Sequence, residues 1–139
     1  MTDCNFYHPI EIRYGDLDPQ GHVNNAKFIT YFEHSRTHYL RHLSLYKKGR
    51  SFLDIGVILA DLQITFHASI HWEDQIKAGV RTTKLGNKSL RLHQCIVDQH
   101  SDKVYATGRI VLVSYDYRQG QSILIPEEWR TILQNFEGL

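Results

Sequence analysis

The residues from Asp18 to Asn25 offer more chemistry than any other part of the chain. They read Asp-Pro-Gln-Gly-His-Val-Asn-Asn, so a carboxylate, an imidazole and carboxamides share one short polar segment. Acyl transfer needs an acid–base or nucleophilic group beside N–H donors that can receive a developing oxyanion. An amphipathic segment follows at once, and a helix start offers such donors because its first N–H groups have no intrahelical partner. The spacing is therefore typical of an acyl-transfer site.

The helix that positions this segment is predicted from Asn25 to about His42. Asn24 is a favoured N-cap residue, and Val23 and Phe28 occupy the N′ and N4 positions of a hydrophobic staple. At about 100° per residue, one helix face is apolar and the opposite face is polar. The members of the apolar face are Phe28, Phe32, Ser35, Tyr39 and Leu43. This face is expected to pack on a broad apolar surface.

The remaining elements predict an α+β fold in the order β-α-β-β-β-β-α, with one long helix on an antiparallel sheet. Strand character covers residues 6–14, a segment that starts at Val57 and runs to 72, and residues 75–84, 89–99 and 104–115. In the second of these, apolar residues alternate from Ile64 to Trp72, as in a half-buried strand. Short turns between the later strands favour antiparallel neighbours. A loop is expected at residues 46–52 and a final helix from Pro126, a residue tolerated in a first turn.

Composition narrows the functional classes. The chain has 139 residues, 42% of them hydrophobic, and a net charge of +1, which is ordinary for one soluble domain spanning 1–139. Nothing in this balance favours nucleic acid or a membrane surface as partner. Cys4 and Cys95 have no ligand or disulfide spacing, no signal peptide begins the sequence, and no apolar run is long enough to span a bilayer. A cytoplasmic location is expected.

The segment also resembles a known family. Residues 13–25, with Phe28, Tyr31 and Glu33 after them, resemble the hotdog-fold acyl-CoA thioesterases of the 4-hydroxybenzoyl-CoA thioesterase family. The resemblance implies a hotdog fold and makes Asp18 the nucleophile or general base. It places the oxyanion donor on the backbone N–H of Asn25, and it makes His22 a catalytic or positioning residue. Gln20 departs from the Asp, Asn and His pattern of the plant members, so no role is assigned to it.

Other residues have two interpretations each. Asn24 is first a helix cap and second a contact for substrate or attacking water. The turn with Gly86, Lys88 and Ser89 resembles the family's contact with the coenzyme A nucleotide, while an ordinary hairpin turn with a surface lysine explains it equally well. His34, His38 and His42 recur every four residues on the polar helix face and are interpreted as a solvated or interface row. His67 and His71 are interpreted as exposed or intersubunit residues. No metal site is predicted.

The sequence thus predicts an acyl-CoA thioesterase without a cofactor. Two alternatives stay open: a non-catalytic acyl-CoA-binding hotdog protein, and a thioesterase that acts on acyl-carrier-protein substrates. A hydratase or dehydratase is disfavoured because the residues that usually serve it are not found. One helix covers only one face of the sheet and leaves its edge open, so a homodimer or homotetramer with active sites at the dimer interface is expected.

Overall fold

The computed structural model describes residues 3–46 and 51–139 as two helices on one antiparallel sheet. The predicted loop at 46–52 lies partly outside these residues. A 3₁₀ turn at Tyr14–Asp16 precedes the long helix. The helices and strands are β1 Phe6–Ile10, α1 Asn25–His42, β2 Gly56–Phe66, β3 Ile76–Leu85, β4 Ser89–Asp98, β5 Val104–Asp116, β6 Gln121–Ser122 and α2 Glu127–Glu137. The predicted α+β class and order are confirmed, with β6 as an addition.

The sheet has the order β1-β3-β4-β5-β2, and the short β6 pairs with β5. All pairings are antiparallel. Helix α1 packs on one face, with Phe28, Phe32 and Tyr39 among its buried residues. The predicted cap is confirmed, because Asn24 Oδ1 accepts the Ala26 N–H at 2.9 Å. The predicted apolar face is the buried one, although Leu43 at its end is only partly buried.

Two predicted strands are wrong in extent. β1 ends at Ile10 rather than Tyr14, because the chain then turns and the Arg13 N–H donates to the Asp16 carboxylate at 3.0 Å. β2 ends at Phe66, although the alternation continues to Trp72. Ile70 is still fully buried, but its carbonyl accepts the Val23 N–H at 2.8 Å. Beyond β2, Ala68 still donates to the Tyr105 carbonyl of β5, whereas Ile70 and His71 pair with the turn that precedes α1.

The two edges of the sheet differ. β1 has five residues and contains Pro9, which has no N–H to offer a further strand. β2 has eleven residues and no proline. Large apolar side chains lie exposed along β2 and on the adjoining side of α1, namely Ile29, Ile58, Leu59 and Phe66. A long apolar edge of this kind is usually covered in a native protein.

The face of the sheet away from α1 brings together the two cysteines. A Cβ on Gly79 would lie 2.8 Å from Cys95 Sγ and 3.0 Å from Cys4 Sγ, so only glycine leaves room for both. The thiols are free and lie close together. The neighbouring Cys95 thiol, and next burial, raise the pKa of Cys4. Cys4 and Cys95 are far apart in the sequence, so their proximity could not be predicted from it. Among the described residues, neither helix has the length and apolarity needed to span a membrane.

Candidate active site

The turn that carries Asp18 is a closed loop held by backbone hydrogen bonds. The Asp18 N–H donates to the His22 carbonyl, and the Gly21 N–H donates to the Asp18 carbonyl, each at 3.0 Å. Gly21 has φ +86°, a conformation that L side chains rarely adopt. Leu17 and Val23 pair where the loop closes. The turn therefore fixes the backbone of Asp18 before α1 begins.

The Asp18 carboxylate is oriented from one side and open on another. Its side chain is 13% exposed. Oδ1 accepts the Gln20 N–H at 3.0 Å. When the Gln20 amide is oriented to satisfy its neighbours, its nitrogen also donates to Oδ1 and Oδ2 at 2.9 and 3.1 Å. Gln20 thus reaches the carboxylate despite its departure from the family pattern.

His22 lies beside the same carboxylate. Its Nδ1 is 3.5 Å from Asp18 Oδ2 and 3.3 Å from the Val23 carbonyl. A carboxylate and a carbonyl both accept, so this nitrogen carries the proton and Nε2 is left with the lone pair. The side chain is 31% exposed, which leaves the imidazole within reach of a ligand. The structure thus brings Asp18 and His22 together, as the sequence predicts.

Asn24 and Asn25 have different surroundings. Asn24 caps α1 through its side chain, and its N–H donates to the Asp16 carbonyl at 2.9 Å. Asn25 is exposed and is the first residue of α1. Within the part of the chain that the structure describes, no acceptor pairs with its N–H. Its N–H lies at the positive end of the helix dipole, where it can bind an anionic oxygen.

Asp16 is the structural member of the turn. Its Oδ2 accepts the Tyr31 hydroxyl at 2.7 Å as well as the Arg13 N–H. Lys27 Nζ lies 3.9 Å from Oδ1. Burial, and next the bond to Asp16, raise the pKa of Tyr31. These contacts fasten the turn to the first turns of α1, so Asp16 fixes where Asp18 lies without facing solvent itself.

The turn with Gly86, Lys88 and Ser89 lies at the other end of the sheet. Arg130 of α2 donates to the Gly86 carbonyl at 2.7 Å, and Lys88 Nζ donates to Ser122 Oγ at 3.3 Å. The turn that carries Asp18 lies near the start of β3, because its His22 pairs with His71. The turn with Lys88 follows the end of β3. The ten residues of β3 span about 33 Å. A single protomer therefore does not bring Lys88 and Ser89 to Asp18.

A cavity of about 430 Å³ opens between the second half of α1 and the start of β2. Its lining is mostly apolar and aromatic, including Leu40, Tyr46, Phe52, Leu59 and Tyr117. Arg36 also lines it, is 6% exposed, and donates to Gln94 Oε1 at 3.2 Å. Burial lowers the pKa of this guanidinium.

Sequence reasoning missed Arg36 as a site residue. The signal was present, because Arg36 falls four residues after Phe32 and four before Leu40. All three lie on the buried side of α1. A charged residue within an apolar stripe of a helix is unusual enough to indicate a specific partner.

The comparison with protein families decides the relationship. The model of the thioesterase-like superfamily matches residues 12–134, which is most of the chain. The chain belongs to the thioesterase-like superfamily. One relative of this chain is the acyl-CoA thioester hydrolase YbgC of Escherichia coli O157:H7. The two are 24% identical over 98 residues, covering 70% of this chain and 73% of YbgC.

Two solved structures share the fold of this chain over most of its length. A thioesterase from Thermus thermophilus, solved with coenzyme A and Zn, is 30% identical and has a TM-score of 0.80, with 96% of this chain and 95% of that one covered. Protein SAV2348 from Staphylococcus aureus, solved with CoA, has a TM-score of 0.87 at 15% identity, with 99% and 87% covered. The hotdog fold and the family expected from the resemblance are confirmed.

Proposed function

We propose that this protein hydrolyses acyl-CoA thioesters to the free acid and CoA. The observation that carries the proposal is the Asp18 carboxylate, held in the turn that leads directly into the unpartnered N–H of Asn25. A carboxylate nucleophile or base beside an oxyanion donor can carry out thioester hydrolysis. The acyl-CoA thioester hydrolase YbgC and the coenzyme A complex of the Thermus thermophilus thioesterase support the choice of substrate class.

In the proposed reaction the thioester oxygen accepts the Asn25 N–H, and the helix dipole stabilises the negative charge that develops on it. Asp18 acts by one of two routes. As nucleophile, it attacks the carbonyl carbon and expels the CoA thiolate, and water then hydrolyses the mixed anhydride. As general base, it takes a proton from the water that attacks the carbonyl carbon, and the tetrahedral intermediate then breaks its C–S bond and expels the CoA thiolate. His22 positions the carboxylate through Nδ1. Its Nε2 accepts a proton from the attacking water and returns that proton to the leaving thiolate.

The complete site needs a second copy of the chain. A two-fold pairing of β2 with β2 places the Phe66 end of one strand beside the Gly56 end of the other. Asp18 belongs to the first end, because the ring of Phe28 in α1 lies 5.1 Å from that of Phe66. Ser89 belongs to the second, because it and Ile58 both pair with Val113. A homodimer of this kind directs Lys88 and Ser89 of the partner subunit toward the CoA bound at Asp18.

The same pairing explains where the acyl chain goes. The cavity beside Arg36 opens at the Gly56 end of β2, so the partner's cavity lies next to Asp18 across the two-fold axis. Its volume is within the range of ligand pockets, and its apolar walls suit an aliphatic or aromatic acyl group. Asp18 and the helix start then come from one subunit, while the acyl pocket and the nucleotide contacts come from the other.

The test is a panel of acyl-CoA and acyl-carrier-protein thioesters, assayed for release of free thiol with wild-type protein. Turnover of one or more acyl-CoAs supports the proposal. Saturable binding of acyl-CoA without thiol release at any chain length contradicts it and favours a binding protein. Turnover confined to carrier-protein thioesters would keep the chemistry and refute the CoA substrate.

A further inference from the structure

Three histidines from two elements meet on the outer side of α1, at the β1 edge of the sheet. His8 is on β1, and His34 and His38 are one helical turn apart on α1. The His8 and His38 rings are stacked with centroids 3.8 Å apart, and the His34 ring lies 4.6 Å from His38 and 5.3 Å from His8. One nitrogen from each ring lies within 4.8 Å of the others. The three form a compact cluster of nitrogen donors.

The fold selects these three histidines and leaves out the one that the sequence spacing favours. His42 continues the four-residue repeat, but its ring packs on Phe6 and Phe136 instead. His8 takes its place because alternate residues of β1 face α1, and Phe6 and His8 are both on that side. Two histidines at i and i+4 on one helix face are a known zinc-ligand pair, and His8 of β1 adds a third nitrogen donor here.

The charge state of the rings suits a metal. Burial, and next the neighbouring histidines, lower the pKa of His8, and burial followed by His34 and Arg41 lowers that of His38. Both rings are therefore neutral near pH 7, which is the form that coordinates metal. Protonated rings at this separation would repel each other, which favours the neutral forms whose lone pairs a metal ion can use. His34 is exposed, so water can complete the coordination shell.

We propose that His8, His34 and His38 bind one divalent transition-metal ion, with Zn²⁺ as the first candidate. Imidazole nitrogen suits Zn²⁺, Cu²⁺ and Ni²⁺ and disfavours Mg²⁺ and Ca²⁺. Zn–N bonds of about 2.0–2.1 Å place two ligand nitrogens at most about 4.2 Å apart. The His8 and His38 rings are stacked, so coordination requires them to rotate about their side-chain torsions until their lone pairs converge on one point.

The site has a structural role and no part in thioester hydrolysis. His34 follows Asn25 by nine residues, which is about 14 Å along the helix from the oxyanion donor. A metal here ties the middle of α1 to β1, a strand of five residues at one edge of the sheet. Since the unfolded chain does not hold the three rings together, metal binding stabilises the folded state.

The test uses untagged protein, stripped with a chelator and titrated with Zn²⁺ and Co²⁺. We expect one metal per chain, a visible Co²⁺ spectrum of low coordination number, and a rise in Tm on the order of 10 °C at a hundredfold excess over Kd. His8→Gln and His34→Gln should each weaken binding by at least about tenfold. The control His100→Gln, in the turn between β4 and β5, should bind as wild type does.

Absence of saturable binding by the wild type overturns the proposal. So does undiminished binding by either His8→Gln or His34→Gln, because both elements must contribute. His34 is exposed, so its substitution leaves the fold intact and keeps the test valid if His8→Gln fails to fold. Thiol release in the presence of chelator should match that of the metal-loaded protein. Failure of the proposed hydrolase activity would leave these binding results unaffected.

Discussion

The two aspartates of the turn are expected to respond in opposite ways to the same substitution, Asp→Asn. For Asp18→Asn, the amide oxygen still accepts the Gln20 N–H, and the Gln20 side chain can rotate its own oxygen toward the new NH₂ group. The free energy of unfolding should therefore change by about 1 kcal/mol or less. The substitution removes the nucleophile or base, so turnover should fall by about 10²–10⁴-fold, or roughly 2.7–5.4 kcal/mol of activation free energy.

Asp16→Asn is the matched control in the same turn. Asp16 is 8% exposed and accepts the Tyr31 hydroxyl and the Arg13 N–H. Weakening these charge-assisted bonds should lower the free energy of unfolding by about 1–3 kcal/mol. The folded fraction should keep kcat within a few-fold of wild type, since Asp16 does not reach the substrate.

Both variants are measured by thiol release and by urea unfolding in the same buffer. We expect the two variants to differ in opposite ways. Asp18→Asn should lose activity and keep its stability, whereas Asp16→Asn should lose stability and keep its activity. Asp18→Asn protein with activity within about tenfold of wild type would refute the assigned chemistry. A loss of turnover in Asp18→Asn that is matched by unfolding would show a structural role instead.

Four further predictions concern other parts of the molecule. Lys88→Ala should raise KM for acyl-CoA by about tenfold with little change in kcat, as loss of uniform binding requires, and Lys103→Ala should change neither in steady-state assays. Phe66→Lys should dissociate the dimer in light-scattering measurements, whereas Leu124→Lys, at a side chain 65% exposed beyond β6, should not. Glu137→Gln should lower the free energy of unfolding by about 1–3 kcal/mol in urea, because the Glu137 carboxylate accepts the Thr82 N–H at 2.6 Å and the Tyr39 hydroxyl at 2.8 Å. Burial, followed by neighbouring cationic side chains, lowers the pKa of His8 and His38 below 6.5, so their contribution to stability is complete above that pH and is lost as the pH falls through the lowered values. Metal-free protein should therefore be less stable in urea at about pH 5.5 than at about pH 7.5, and the difference should be smaller in His8→Gln.

Local sequence signals predicted the helix start and the turn before it correctly. Asn24 caps α1 through neighbouring atoms, and Asp18 and His22 meet within one turn, so no distant residue is needed to place them. β2 was harder to predict. Its register shifts between Leu59 and Asp61, which breaks the period-two pattern at its start, and Ile70 extends that pattern past its end from outside the sheet.

Contacts between segments that are distant in the sequence could not be predicted from local residue patterns. Cys4 meets Cys95 over Gly79, and His8 meets His34, because β1 pairs with β3 and faces α1. No spacing within either segment records these contacts. The assignments of catalytic and nucleotide-binding residues stay predictions, since Asp18 and Lys88 lie at opposite ends of the sheet in one protomer.

The two edges of the sheet differ in length and in proline content, and this difference limits how many copies of the chain can pair through their strands. Among the described strands, β2 offers the long open edge, while β1 is short and carries Pro9. A sheet with two receptive edges can add copies without end and form a ribbon. In the proposed dimer, pairing of β2 with β2 would occupy the open edge of both copies at once. Because Pro9 leaves β1 without an N–H at that position, growth through strand pairing would then stop at two copies.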